Sequence, residues 1–259
     1  MTGLVVDVFS DQLAAWIDYT ESPWGRVRYR VVEHILRRET AGLGERLRVL
    51  DVGGGDGRDA LPLAVAGHEV TILDQSATWL EEARRRAGAA GVDVTIVHGD
   101  LSEPPSLGEF DLVLCHFVLQ YRSDDSRDLA RLAAYARPGG LVSVIVPNPA
   151  GMLLRQLVTE GPRAALAELA AGTKHAVTFD RQVRKISMGD LEQAMSRAGL
   201  PVARRYGARI ANELLTSEEA KADPAFFADL LELELALCDQ EPFLRIGGLY
   251  QLVATRPVG

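Results

Sequence analysis

Val49-Leu50-Asp51-Val52-Gly53-Gly54-Gly55-Asp56-Gly57-Arg58 is the stretch on which the fold turns. The apolar run Leu47, Val49, Leu50, Val52 has the length of a buried strand, and it stops on a glycine cluster. Helical apolar spacing resumes at Ala60, Leu61, Leu63 and Ala64. Strand, glycine turn and helix in that order place bare backbone at the carboxyl end of a sheet, where doubly wound folds bind ligands. Gly53, Gly54 and Gly55 carry no Cβ, so a ligand can lie against the main chain. Asp51 and Asp56 flank the turn, and the Lys-Ser/Thr of a phosphate-binding loop is missing. Such a turn suits a cationic or amine-bearing guest.

Leu50 to Gly57 resembles the first motif of the class I S-adenosylmethionine (SAM) methyltransferases, an acidic residue followed by Gly-x-Gly-x-Gly. SAM carries an ammonium and a sulfonium beside one carboxylate, which fits the acidic flanks. A dinucleotide turn spaces its glycines as Gly-x-Gly-x-x-Gly, whereas here they fall at Gly53, Gly55 and Gly57. The resemblance implies that Asp51, Gly53, Gly54 and Gly55 meet the cofactor.

The acidic partner of a nucleoside ribose belongs about 20 residues further on, at the end of the next strand. Glu69 to Leu73 reads as that strand and Asp74 ends it, with Gln75 beside it. Asp74 can take both ribose hydroxyls, or Asp74 or Ser76 can cap the helix expected over Ala77 to Ala90. A third strand, Val94 to Val97, leads to His98-Gly99-Asp100-Leu101, which resembles the family's adenine-binding motif and implicates Asp100 and Leu101. A fourth strand, Phe110 to Cys115, opens onto His116, placed where a ring nitrogen can touch cofactor or act as a base for a hydroxyl acceptor. Arg137-Pro138-Gly139-Gly140 resembles the family's turn before a fifth strand, Leu141 to Val146. With Phe110-Asp111-Leu112-Val113, which resembles the family's fourth motif, these motifs in order imply a Rossmann-like doubly wound sheet of seven strands with the last antiparallel.

The 259 residues are 47 % hydrophobic, enough for one large core, and a single domain is expected over 1–259. Its parts are a helical cap (1–44), a SAM-binding core (45–148), a substrate insertion (149–186) and the C-terminal part of the sheet (187–259). Cys115 and Cys238 lie on apolar segments and read as buried thiols. No run reaches about 18 apolar residues and no signal-peptide pattern opens the chain, so a cytoplasmic protein without a membrane partner is expected. No metal ligands are expected. A net charge of −8 argues against broad phosphate-backbone binding. Arginines nevertheless crowd the segment Arg26 to Arg48 and the run Arg84-Arg85-Arg86, which reads as solvated helix surface or a basic patch.

Two helical patterns, Phe9 to Tyr19 and Val27 to Leu36, precede the first strand. They offer Trp16, Tyr19 and Trp24 either as a lid over the cofactor or as packing onto the sheet. Residues Gly151 to Lys185 form an insertion with a helix around Leu153 to Ala171, a common place for a substrate pocket. A helix from Ser187 to Ala198, a strand Val202 to Tyr206, a helix Ala225 to Cys238 and a strand Tyr250 to Thr255 return the chain to the core.

Gly-Arg-Val-Arg28, Leu-Cys-His116, Asn148 with Gly151, Tyr206 to Ile210, Leu230 to Glu234 and Gln240 to Phe243 resemble the CmoM (SmtA) carboxyl methyltransferases, which act on a modified wobble uridine of tRNA. The resemblance implies that Arg28 clamps the methionine carboxylate of SAM, with Tyr19, Asn148 and Arg209 facing the acceptor. Two stretches depart from it. The family's lysine-rich run is here Ala171-Gly172-Thr173-Lys174-His175-Ala176, and its Gly-Arg-Tyr is Gly247-Gly248-Leu249. Fewer cations where RNA would dock favour a small metabolite bearing a carboxylate or hydroxyl, with tRNA as the alternative. A SAM-binding protein of a non-methylating class is the third reading.

Overall fold

The computed structural model describes residues 13–123, 125–176 and 181–258. In chain order the elements are helices α1 (Leu13–Glu21) and α2 (Pro23–Thr40), strand β1 (Arg48–Val52), α3 (Leu61–Val65), β2 (Glu69–Asp74), α4 (Ala77–Ala90), β3 (Thr95–His98) and β4 (Phe110–His116). Then come α5 (Asp125–Tyr135), β5 (Ala136–Pro147), α6 (Pro149–Glu160), α7 (Pro162–Ala170), β6 (Thr173–Ala176) and β7 (Arg181–Arg184). The chain closes with α8 (Met188–Arg197), β8 (Val202–Ala208), α9 (Ile210–Leu214), α10 (Glu218–Ala222), α11 (Pro224–Leu237) and β9 (Leu249–Thr255).

Seven strands form one sheet in the order β3-β2-β1-β4-β5-β9-β8. β1 pairs in parallel with β2 and β4, β2 with β3, and β4 with β5, while β9 runs antiparallel to both β5 and β8. β8 therefore points the same way as β5. Gly53, Asp74, His116, Asn148 and Arg209 follow or end strands that point one way, so all five lie along one edge of the sheet. β6 and β7 pair with each other in a separate hairpin.

Neighbouring residues of β1 feed two cores, because successive side chains of a strand point to opposite faces. Val49 packs with Val31, Ile35, Ile72, Leu112, Tyr206 and Phe227, whereas Leu50 packs with Val113, Leu132, Val142, Leu191 and Leu252. Helix α2 belongs to the first of these layers. Val27, Val31, Val32, Ile35 and Leu36 are all at most 1 % exposed, and each such burial contributes about 1.5–3 kcal/mol. Ser22 caps this helix through Gly25 N–H and Pro23 opens it, so the expected linker between the first two helices is already helix. The expected start of the first helix, Phe9 to Gln12, lies outside the described residues.

The insertion differs from its expectation. Gly161, at φ 87°, and Pro162 split the expected single helix into α6 and α7, and the β6–β7 hairpin follows. Ser187 caps α8 and Ser76 caps α4, each accepting a backbone N–H three residues on. Cys115 and Cys238 are free and buried. No helix among the described residues is long and apolar enough to cross a membrane.

Candidate active site

The glycine turn floors a cavity of about 350 Å³ at the carboxyl edge of the sheet, within the size range of small-molecule sites. Gly53 sits at φ 68°, and a Cβ there would meet Val118 at 2.4 Å. A Cβ on Gly54 would lie 2.6 Å from the Asp51 carboxyl group. The turn thus admits only glycine at both positions, and its main chain lies open beside the cavity. Gly53 and Gly54 N–H both donate to the carbonyl of Leu73, which ties the turn to β2 (2.7 and 3.2 Å).

Asp74 ends β2 with its carboxylate held from two sides. Its Oδ2 accepts from Gly55 N–H at 2.9 Å and its Oδ1 from Ser76 N–H at 2.8 Å. Asp74 lines the cavity. Ser76 supplies the cap of α4, so Asp74 is not the capping residue. Gln75, Gly99, Asp100 and Leu101 line the same end of the cavity, with Trp79, Tyr121 and Arg122. Asp100 accepts from Ser102 N–H at 2.6 Å, and Arg122 stands 3.5 Å away.

At the opposite end Arg28 is buried, with its guanidinium stacked 4.1 Å from the Tyr29 ring centroid and 4.7 Å from that of Phe117. Its Nη2 donates to Asp59 Oδ2 at 2.6 Å, while Nε and Nη1 have no partner among the described residues. Asp59 Oδ2 also stands 2.9 Å from His116 Nδ1. On its other side His116 Nε2 meets Ser143 Oγ at 2.9 Å, and Gln251 Nε2 donates to the same oxygen at 2.9 Å. Because Gln251 donates, the Ser143 hydroxyl proton is available to His116 Nε2, and Nδ1–H then donates to Asp59. Both ring nitrogens of His116 are therefore occupied, and the base expected at this position has no free nitrogen for an acceptor.

Electrostatics divide the carboxylates. Burial would raise the Asp59 pKa, but Arg28 and His116 overcome it and hold the group at about 2. Asp51 goes the other way: burial, then the charges of Asp59 and Asp74, push it well above the usual carboxylate range. Its Oδ2 has no partner among the described residues. Burial also lowers His116 below the ordinary imidazole value, consistent with a neutral ring. Asp56, on the rim of the turn, is engaged by Arg58 at 3.0 Å and Arg86 at 3.2 Å and ties the turn to α4.

The three expected acceptor residues part company. Asn148 caps α6, its Oδ1 accepting from Ala150 N–H and its Nδ2 donating to Arg245 O at 2.8 Å, so its side chain serves the fold. Tyr19 and Arg209 do meet, with Arg209 Nη1 3.5 Å from the Tyr19 hydroxyl. Arg209 also donates to Glu213, and its buried Nε has no partner among the described residues. Around them stands a cluster that the sequence did not reveal. Arg155, Lys221 and Arg209 approach the Trp24 ring at 4.1, 4.3 and 5.0 Å. Glu213 pairs with Arg209 and Glu218 with Lys221, Glu234 stands near Arg209, and Arg155 bonds the carbonyls of Glu213 and Leu215. Trp16 links the two regions: it lines the cavity, and its ring lies 5.3 Å from Tyr19 and 5.7 Å from Trp79.

The cavity therefore offers a carboxylate at one end, a half-satisfied buried arginine at the other, and acidic groups between. That donor and acceptor set fits SAM, whose nucleoside, sulfonium and amino-acid parts call for those groups. The comparisons agree. The methyltransferase-domain family profile matches residues 49–140. Magnesium protoporphyrin IX methyltransferase from Synechocystis PCC 6803, solved with S-adenosylhomocysteine (SAH) bound, superposes with a TM-score of 0.65 at 19 % identity, covering 96 % of this chain and 97 % of that one.

The chain belongs to the class I SAM-dependent methyltransferases, the family that includes the carboxyl methyltransferase CmoM. The tRNA 5-carboxymethoxyuridine methyltransferase of Escherichia coli K12 is 30 % identical over 240 residues, spanning 90 % of this chain and 89 % of its own. A ubiquinone biosynthesis O-methyltransferase from Aromatoleum aromaticum is 32 % identical over 205 residues, 77 % of this chain and 82 % of its own. The protein is a SAM-dependent methyltransferase.

Proposed function

We propose that the enzyme transfers the methyl group of SAM to the carboxylate of a small acidic acceptor in the cytoplasm. In this reading Asp74 accepts the ribose hydroxyls with Gln75 alongside, and Asp100 and Leu101 hold the adenine. Gly53 to Gly55 and Asp51 face the sulfonium and ammonium, and Arg28 takes the amino-acid carboxylate. SAM supplies an activated methyl on a good leaving group, so positioning can provide much of the rate.

The observation that carries the acceptor assignment is the Trp24 cluster, with three cations gathered on one ring and the Nε of Arg209, beside Tyr19, without a partner among the described residues. An anionic acceptor would use the planar donor edge of Arg209. A carboxylate also needs no proton removed, which agrees with a His116 whose two nitrogens are engaged. Part of the basic segment is already paired: Arg37 and Arg30 with Glu33, Arg38 with Asp239 and Arg46 with Glu69.

A second reading, a carboxylate carried on tRNA, is favoured by the relative that spans 90 % of the chain. Labelled SAM incubated with the tRNA and small-molecule fractions of a cell extract separates the two. The small-acid reading expects label in the small-molecule fraction, at a rate nearly independent of salt between 50 and 200 mM. Label in tRNA that falls by orders of magnitude over that range would establish the second reading instead.

A further inference from the structure

Asp59 carries a role that neither the glycine motif nor the relatives assign. Its side chain is 9 % exposed, and that of Arg28 3 %. Both line the cavity beside the glycine turn. Oδ2 of Asp59 is shared between Arg28 and His116, yet its Oδ1 is buried and has no partner among the described residues. The same holds for Nε and Nη1 of Arg28. Buried charged groups with unmet hydrogen-bonding capacity are rare in folded proteins, and each calls for a reason such as a ligand. Here an acceptor oxygen and two donor nitrogens stand unmet on the two members of one ion pair. A ligand that satisfies both presents an acceptor and a donor close together, and the α-carboxylate and α-ammonium of SAM or SAH do so with complementary charge.

The pair is also rigidly held. Gln251 orients Ser143, Ser143 fixes the tautomer of His116, and His116 donates to Asp59, which anchors Arg28. The chain of bonds ties α2 to β4, β5 and β9. We propose that Asp59 is a specificity-determining residue for the cofactor: its Oδ1 receives the α-ammonium while its Oδ2 sets the guanidinium for the α-carboxylate. This rests on the proposed placement of the amino-acid end at Arg28.

Calorimetry on the full chain with three ligands tests it: SAH, the analogue of SAH lacking the α-amino group, and 5′-methylthioadenosine, which lacks the amino-acid end. Asp59→Asn keeps the shape and removes the charge. SAH binding should weaken at least tenfold, the desamino analogue at most threefold, and methylthioadenosine not measurably. Equal weakening of SAH and the desamino analogue, or no weakening of SAH, overturns the proposal. Should Asp59→Asn fail to bind methylthioadenosine, which reports an intact cavity, Asp59→Ser is read by the same criteria. Arg28→Met separates the two layers of the argument. If it leaves SAH affinity unchanged, the placement at Arg28 is wrong. If it weakens SAH while Asp59→Asn does not, only the role of Asp59 falls.

Discussion

Replacing Asp74 with alanine should separate binding from folding. In the native protein the carboxylate accepts Gly55 N–H at 2.9 Å and Ser76 N–H at 2.8 Å, one amide on each oxygen. Those bonds hold it at the end of β2 beside the cavity, where the proposed reading places the ribose. Removing an ionised acceptor from a ligand costs about 1.5–3 kcal/mol, which is roughly a 10- to 150-fold rise in the Kd for SAH. The apoprotein should lose stability as well, because two amides give up an acceptor at about 0.5–1.5 kcal/mol each. Gly55 is half-buried and can recover part of this from water, whereas Ser76 is buried. Titration calorimetry with SAH, paired with thermal unfolding of the apoprotein, measures both quantities. A variant that folds and binds SAH within twofold of wild type would refute the ribose assignment.

Arg28→Lys should weaken SAM clearly but decarboxylated SAM hardly at all, since an ammonium cannot reproduce the planar fork; comparable losses by calorimetry would point to a folding role instead. Asp51→Asn should raise the unfolding midpoint of the apoprotein at neutral pH and weaken SAM. A group whose folded pKa is raised contributes stability at low pH and loses it as pH rises, so its ionisation at pH 7 opposes folding. Asp59, held at about 2, has the opposite sign: its contribution is complete above about pH 4 and disappears as pH falls toward 2. Asp59→Asn should therefore flatten the acid limb of the stability curve, as read by chemical denaturation. Arg209→Lys should lower kcat/KM for the acceptor by about 10²-fold, the scale of a lost charge-assisted bidentate contact, while SAH affinity stays constant; an equal loss in SAH binding would remove Arg209 from the acceptor site.

The parts of the site that were legible in the sequence are those fixed by neighbours along the chain. A strand that stops on glycines, an acidic residue ending the next strand, and a serine two residues beyond it that caps a helix are local patterns. The seven-stranded order follows because each strand–helix unit has one favoured hand and the motifs mark the strand ends. The Asp59 network was not legible, since its members are 31 and 57 residues apart and meet only when α2 packs across the sheet. The Trp24 cluster is similar, drawing on α2, α6, α10 and the residue after β8. Asn148 shows the converse: a polar residue after a central strand looks functional, yet at the start of a helix it is also the preferred cap. The expected lid resolved into two roles, with α2 in the packed layer and Trp16 against the cavity. The β6–β7 hairpin lies in the insertion beyond the expected helix, which ended at Ala171, and had no reading of its own because its short strands carry no clear alternation.

Methyl transfer to a carboxylate leaves its signature in the stability of the product. Label transferred from methyl-labelled SAM to the acceptor should be released as methanol by mild alkali, as a methyl ester requires, and Arg209→Lys should reduce its formation. Label that survives alkali in full would place the methyl on a hydroxyl or nitrogen and contradict the account.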